Sequence, residues 1–423
     1  MVASTDIKFY VHTNNNAPQL QNAYGSMINV LDACLINGIN IGTVSSLTAS
    51  GTTVTALFSS SHNLMQYQVI KITGASQPEF NGEHRILTVP NATTVTFELV
   101  VVPSVATATG AISCSLPALG WEKPFGNTGG KAAYRSKNLL LPSRPFLRVV
   151  DELDPAYNAS YAKYAKVGIV EDMTGIDTML GVQAPYDSAN PDKNWVGTGS
   201  GTSVINGWAR WYYARNSALG NTYDTAAITG GNRNWLLIGN ADYFYIMPCF
   251  HTGQSPANPY GFGSFERYYD DDLSNTFLSA SIKNTPPANF EQIGKLSGIS
   301  STNNYNFLLF KPIEQTSDYA TANAAYSINN ASHYSGSTVY LKGASDKVPL
   351  YPIILEEHSV KYSGVNLKTV RGGLSGIYAL AQYRPLNDFQ IFRRGSSAFI
   401  ARYSTIHDDN ANFGELVLKI GDL

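Results

Sequence analysis

Val69-Ile70-Lys71-Ile72-Thr73-Gly74, Phe80-Asn81-Gly82 and Ile86-Leu87-Thr88-Val89 follow one another in a single short stretch, and their reading decides the fold. In the first run Ile70 and Ile72 fall on one face and Lys71 and Thr73 on the other, the period of a half-buried strand. Working outward, the same period holds from Gly42 to Leu116. It predicts strands at Thr43–Ala49, Thr52–Phe58, Tyr67–Ile72, His84–Leu87, Thr94–Leu99 and Gly110–Ser115. Ser50-Gly51, Asn63, Gly74, Asn81-Gly82, Pro90-Asn91 and Pro103 punctuate them. Asn-Gly predicts a type I′ hairpin at 81–82, because both central residues of that turn need positive φ. Short, evenly spaced strands with this punctuation predict a small β-barrel or sandwich.

The flanks read differently. Ile7, Phe9 and Val11 alternate with polar residues in an extended N-terminal arm, residues 1–17, which Asn14-Asn15-Asn16 ends. From Pro18 to about residue 40 the period becomes helical: Leu20, Tyr24, Met27, Leu31 and Cys34/Leu35 share one face, with Pro18 at the start and Gly38 after the end. Residues 117–423 alternate aromatic, strand-like runs with long Asn/Gly/Ser/Pro loops. The runs are Phe146–Val150, Lys166–Val170, Trp208–Tyr213, Trp235–Met247, Asn306–Phe310, Thr338–Lys342, Phe389–Phe392, Phe399–Tyr403 and Leu416–Ile420. Within Trp235–Met247, Gly239-Asn240-Ala241-Asp242 predicts the loop of a hairpin. Short helices are expected near Pro155–Ala165 and Phe290–Leu296, and long loops at Ala184–Gly207 and Phe250–Asp272. The expected fold class is mainly β: a β-rich, sandwich- or barrel-like body with one N-terminal amphipathic helix and an inserted small barrel at 42–116.

Composition narrows the function. The chain has 423 residues, 14 % of them charged, against ~25 % in an average soluble protein. Its net charge of −2 argues against a nucleic-acid partner, since neutralising phosphates needs a surplus of Lys and Arg. A surface short of charge suits packing against copies of itself or other partners; the competing reading is a secreted β-rich protein with an uncharged polar surface. Aromatic residues make up 12 % of the chain, which argues against disorder. Cys34, Cys114 and Cys249 are odd in number and lack metal-ligand spacing, so neither a zinc site nor a disulfide scaffold is expected. Met1–His12 carries no apolar run and does not read as a signal peptide. The most apolar stretches, Leu99–Leu119 and Trp235–Phe250, are broken by Pro103, Pro117 and Asp242, so no membrane span is expected.

Residues 41–116 resemble a small module that recurs in tailed-bacteriophage structural proteins. The carrying residues are Ser61-His62-Asn63-Leu64, Val69 to Gly74, Phe80-Asn81-Gly82, Ile86 to Val89 and Thr96-Phe97. The module is similar to the first catalytic cysteine half-domain of ubiquitin-activating enzymes, which implies a small β-barrel without a catalytic group. Asn63 stands where the module has Gly, and Asn tolerates left-handed backbone. The flanks resemble one phage virion family at Leu31-Asp32-Ala33-Cys34-Leu35, Gly120-Trp121-Glu122-Lys123-Pro124-Phe125, Lys131-Ala132-Ala133-Tyr134-Arg135, Phe146-Leu147-Arg148-Val149, Glu171-Asp172-Met173-Thr174, Trp235 to Tyr245, Arg371-Gly372-Gly373-Leu374-Ser375-Gly376 and Arg384-Pro385-Leu386. The resemblance implies that the barrel is inserted into one β-rich domain built from 1–40 and 117–423.

Groupings that carry chemistry are few. Gly197-Thr198-Gly199-Ser200-Gly201-Thr202 lacks the Lys and the helix of a phosphate loop and reads as a surface loop. Asp270, Asp271 and Asp272, with Glu266 nearby, are the candidate metal ligands, without the spacing of a calcium loop; His407-Asp408-Asp409 is similar. Trp208, Trp211 and Tyr213 form the most aromatic cluster, readable as a sugar-stacking platform or as core. Arg371, beside Gly372-Gly373, anchors a tight turn or reaches a neighbouring subunit's carboxylate. No catalytic, cofactor or metal site is expected. The expected role is a non-enzymatic virion structural protein of the tail, baseplate or neck. It would act by packing against copies of itself, in a ring or ring multiple, and against other virion proteins, with the arm (Ile7, Phe9, Val11) laid on a neighbour. The alternatives are a head-decorating or closure protein and a tail-fibre-type binder of host-surface glycans.

Overall fold

Six strands close into a barrel across the stretch whose alternation predicts them. A computed structural model describes residues 3–216, 224–253, 256–269, 275–282, 307–310, 319–325, 349–362, 365–380, 386–405 and 414–423. The barrel runs, in closed order, through Ile39–Ser50, Thr53–Phe58, Thr94–Glu98, Gly82–Asn91, Val69–Ala75 and Gly110–Leu116. Its two longest strands exceed their predicted lengths because each turns a corner. Ile39–Ser50 pairs first with Gly110–Leu116 and then with Thr53–Phe58; Gly82–Asn91 passes likewise from Val69–Ala75 to Thr94–Glu98. Leu47, Val54, Ile70, Ile72, Ile86 and Phe97 fill the interior and are fully buried.

The turn chemistry corrects one expectation. Asn81 is extended (φ −80°, ψ 151°), so 81–82 is not a type I′ hairpin. Its side chain instead pairs with Ala75 as a strand neighbour would: Nδ2 donates to the carbonyl at 2.7 Å and Oδ1 accepts from the amide at 3.1 Å. Gly82 takes up the awkward geometry with φ +119°. Asn63 adopts φ +50°, as its place in the sequence pattern predicts.

The helix is shorter than its periodicity suggests. Only Ser26–Leu31 is α-helical, continued by a wide π-type turn at Asp32–Asn37. Gly25 stands at φ +83° and ends the helix on its N-terminal side, a position where glycine's freedom outweighs the period. Residues before it turn to the body: the Arg233 amide donates to Leu20 at 2.9 Å and Trp235 Nε1 to Pro18 at 3.0 Å. Met27, Ile28, Val30 and Leu31 are all buried, so the helix is core on most sides. No helix forms at Pro155–Ala165, where turns lead into the strand Lys163–Gly175. Phe290–Leu296 and Thr338–Lys342 lie outside the described residues.

Among the described residues the body is two antiparallel sheets. The smaller has seven strands: Ser281–Ile282, Ala209–Ala214, Lys163–Gly175, Phe146–Val150, Lys131–Ser136 and Trp121–Gly126 in order, with Thr178–Ala184 beside Lys163–Gly175. The larger has thirteen. It starts at Lys8–Val11, Trp235–Gly239 and Tyr243–Pro248, and ends at Val365–Leu380, Gly414–Asp422, Ser397–Ser404 and Ile391–Arg394. The predicted hairpin is Trp235–Gly239 with Tyr243–Pro248, in register from Trp235↔Pro248 to Gly239↔Phe244. Its side chains alternate between two cores. Trp235, Leu237, Phe244 and Ile246 pack with Val149, Val167 and Trp211 of the smaller sheet. Leu236, Ile238, Tyr245 and Met247 pack with Ile377, Ile400 and Leu418 from the far end of their own sheet, which therefore curls back over them.

A strand buried on both faces has no tolerant side. Leu236→Ala and Leu237→Ala should each destabilise by about 2–5 kcal/mol. A strand wet on one face would show one large cost and one near zero. Urea denaturation of the two variants checks this.

Candidate functional site

The residues predicted to meet a neighbour are used inside the chain. Phe9 and Val11 are buried, and Lys8–Val11 pairs with Trp235–Gly239 through Phe9↔Ile238 and Val11↔Leu236. Ile7 packs against the same core. The arm thus completes its own sheet, because the strand it fits lies in the same polypeptide. Its outward edge is closed as well, mostly by the barrel. Gln68 Nε2 donates to the Phe9 carbonyl at 3.0 Å and Arg85 Nη2 to the Ile7 carbonyl at 2.9 Å. The Val11 amide donates to Asn14 Oδ1 at 2.9 Å. Arg85 also holds the carbonyls of Ser4 and Tyr67. Burial among these carbonyls lowers its pKa to about 10. Lys8 pairs with Glu83 at 3.1 Å. Unpaired strand edges invite other chains, and this one is masked.

The aromatic strand Ala209–Ala214 is buried on both faces. Trp208, Trp211 and Tyr213 are 4 %, 0 % and 0 % exposed, so no ring of this cluster is open to a sugar. Trp211 Nε1 donates to Ser279 at 2.8 Å. Arg210 and Arg215 flank one carboxylate, Asp224, at 2.9 and 2.8 Å. The Tyr212 hydroxyl donates to the same carboxylate at 2.9 Å, and Arg210 lies over the Tyr164 ring at 4.4 Å. Beside this group Lys166 meets Asp154 at 2.9 Å and Asn206 at 3.1 Å, both partners buried. Burial lowers the Lys166 pKa against the pull of Asp154. The Gly-rich loop at 197–202 closes over this pair: the Gly197 amide donates to Asp154 at 2.7 Å, and a Cβ at Gly197 would stand 2.5 Å from that carboxylate.

A second buried carboxylate, Asp151, escaped the sequence reading. It accepts from the Met27 amide at 2.9 Å and from the Tyr213 hydroxyl at 2.6 Å. It thereby caps the short helix from a remote strand end. Complete burial pushes its carboxyl up to about 6 against these bonds. An ordinary-looking acid after an apolar strand gives no signal of such a role.

The motif residues of the flanks turn to one another. Asp32 takes Lys123 at 2.5 Å and the Tyr134 hydroxyl at 2.8 Å. Trp121 Nε1 donates to Asn240 at 2.8 Å. Arg148 lies over the Trp195 ring at 4.4 Å and pairs with Asp177 at 2.6 Å. Arg371 pairs with Glu357 of its own chain. A Cβ at Gly372 would stand 2.0 Å from the Glu266 carbonyl of the antiparallel partner strand Glu266–Arg267, which explains the glycine.

Asp270, Asp271, Asp272 and His407-Asp408-Asp409 lie outside the described residues. Among the described residues no group of His, Cys, Asp and Glu has metal-site geometry, and Cys34, Cys114 and Cys249 are buried and form no disulfide. A shallow cleft lined by Trp121, Ser136, Arg144, Asp242 and Thr276 encloses about 10 Å³, about the room of one water. Large apolar side chains face outward at Val100, Val101 and Val102 on a barrel loop and at Leu139 and Leu140. The sequence showed Val100–Val102 only as part of an apolar stretch. No helix among the described residues is long and apolar enough to cross a membrane.

No family model and no curated protein matches the chain. The barrel's likeness to the half-domain of ubiquitin-activating enzymes therefore rests on the sequence pattern. Among solved structures the chain is similar to Phage phi92 endosialidase at 8 % identity, covering 91 % of this chain and 52 % of that one, with a TM-score of 0.16. The chain spans about half the length of that protein, and so low a score carries neither fold nor activity across.

Two outcomes follow from the buried charges. Asp224→Ala leaves two guanidiniums in the core without their shared carboxylate and should cost about 3–5 kcal/mol in denaturation. Asp151 has a raised folded pKa, about 6 against 3.8. Its contribution is full below pH 4 and is lost as pH rises through 6, by up to about 3 kcal/mol. Asp151→Asn removes that dependence. Wild type should therefore lose stability relative to the variant between pH 4.5 and 7.5, read from denaturation midpoints at both pH values.

Proposed function

We propose that this chain is a structural component of a bacteriophage virion, in the tail, baseplate or neck, acting by packing rather than catalysis. The observation that supports the reading is the fate of the residues that carry the family resemblance. Asp32, Trp121, Lys123, Tyr134, Arg148 and Trp235 are spent on hydrogen bonds, ion pairs and ring contacts that hold helix and sheets together. What the resemblance preserves is a scaffold. The inserted barrel fits the same reading: Ile39 pairs with Leu116 and the Leu119 amide donates to Cys34 at 3.0 Å, so the two ends of the segment leave the body side by side. The outward valines of its loop supply an uncharged contact surface of the kind assembly uses.

Peptide mass spectrometry on separated heads and tails of purified phage tests the proposal. The chain should appear in the tail fraction at a fixed copy number. Recovery with heads favours the decorating or closure role, and absence from both fractions sinks the structural reading.

A further inference from the structure

The N-terminal segment is held by the body and by the barrel, and one set of the barrel's contacts falls on the joint that follows the strand. Lys8–Val11 lies at the sheet's end and pairs with Trp235–Gly239. The body also holds Ser4, through the Asp422 carbonyl at 3.0 Å, and Asp6, through Asn240 at 3.1 Å, while the barrel holds the segment's outward side and its joint. Gln68 and Arg85 hold its outward carbonyls. At the joint, Asn14, Asn15 and Asn16 donate to the carbonyls of Asn63, Ser61 and Asn40 at 2.9, 2.5 and 2.8 Å.

We propose that the barrel's grip on Asn15 and Asn16 latches the joint, and that releasing it lets residues 3–13 exchange with the same segment of a second copy of this chain. The occupant follows from register. Phe9, Tyr10 and Val11 are 1 %, 0 % and 1 % exposed, and Tyr10 reaches the Pro117 carbonyl beneath the sheet. An incoming strand must repeat those side chains to regain that burial, and a second copy does so. Exchange then conserves the strand pairing and the core. What it disturbs is the joint, where the chain must run to another molecule instead of turning at Asn14–Asn16. Terminal elements on short joints swap in this way once the joint no longer favours the closed form. The inference is independent of the virion role.

A disulfide reports which chain supplies the strand. Val11 and Leu236 are directly opposed in a non-hydrogen-bonded pair, where Cα atoms stand ~4.5 Å apart, within disulfide range. Val11→Cys with Leu236→Cys in the otherwise intact full chain should oxidise to an intramolecular bond and run as a monomer on a non-reducing gel. With Asn15→Ala and Asn16→Ala added, concentrated protein should give a covalent dimer, at least about five-fold more than the latched form, and scatter light as a dimer. A latch-opened protein that stays monomeric overturns the proposal, as does equal dimer with the latch intact. A dimer by scattering that runs as a monomer on the gel is edge-to-edge pairing and overturns exchange too. If the Asn15/Asn16 variant does not fold by circular dichroism, Asn16→Ala alone goes through the same assay, and its result decides.

Discussion

Trp235 and Leu236 are neighbours in sequence and belong to different cores. That constraint governs the molecule. A strand that is apolar at every position must be covered on both faces, since either face left wet forfeits roughly 25 cal/mol for each Å² of apolar surface. The smaller sheet covers one face. The other is covered by the far end of the same sheet, so the large sheet has to curl. The helix, the arm and the barrel then settle around the hairpin: Trp235 Nε1 bonds to Pro18, and the arm pairs along Trp235–Gly239.

Burying so much of a chain brings polar groups inside, and each has to be answered. Here the answers are concentrated. One carboxylate, Asp224, serves two guanidiniums and a phenol. Asp151 serves a helix start and a phenol. Arg85 serves three carbonyls from the arm and the barrel. Removing one member of such a group takes a bond from several others at once, which is why these positions weigh more than their number suggests.

The barrel was legible because its signals are local. Alternation sets each strand, and Gly, Asn and Pro mark the ends to within a few residues. The hairpin at Trp235–Pro248 was legible for the same reason. The helix is shorter than its period predicts because that period runs through Gly25, and a bridge to Arg233, far off in sequence, decides the conformation of Leu20. The hairpin expected at Asn81-Gly82 failed because the Asn81 side chain found Ala75. The arm's alternation predicted a strand correctly and said nothing about whose sheet it joins. Trp208 to Arg215 predicted two faces, but whether one or both meet solvent depends on segments remote from that strand. Asp151 and Asp224 act through partners that no spacing announces.

The arm's pairing also imposes an order in time. Val11 meets Leu236, roughly 225 residues later. At a synthesis rate of ~5–20 residues per second, the N-terminal strand waits on the order of 10–45 s for its partner to be made. The barrel, closed by residue 116, is complete long before then. Gln68, Arg85, Ser61 and Asn63, which grip the segment and its joint, are present during that interval. A nascent chain with Phe9, Tyr10 and Val11 exposed is a sticky end beside its neighbours on the same messenger. The barrel's partners for Ile7, Phe9 and the joint are therefore made long before the strand's partner in the sheet.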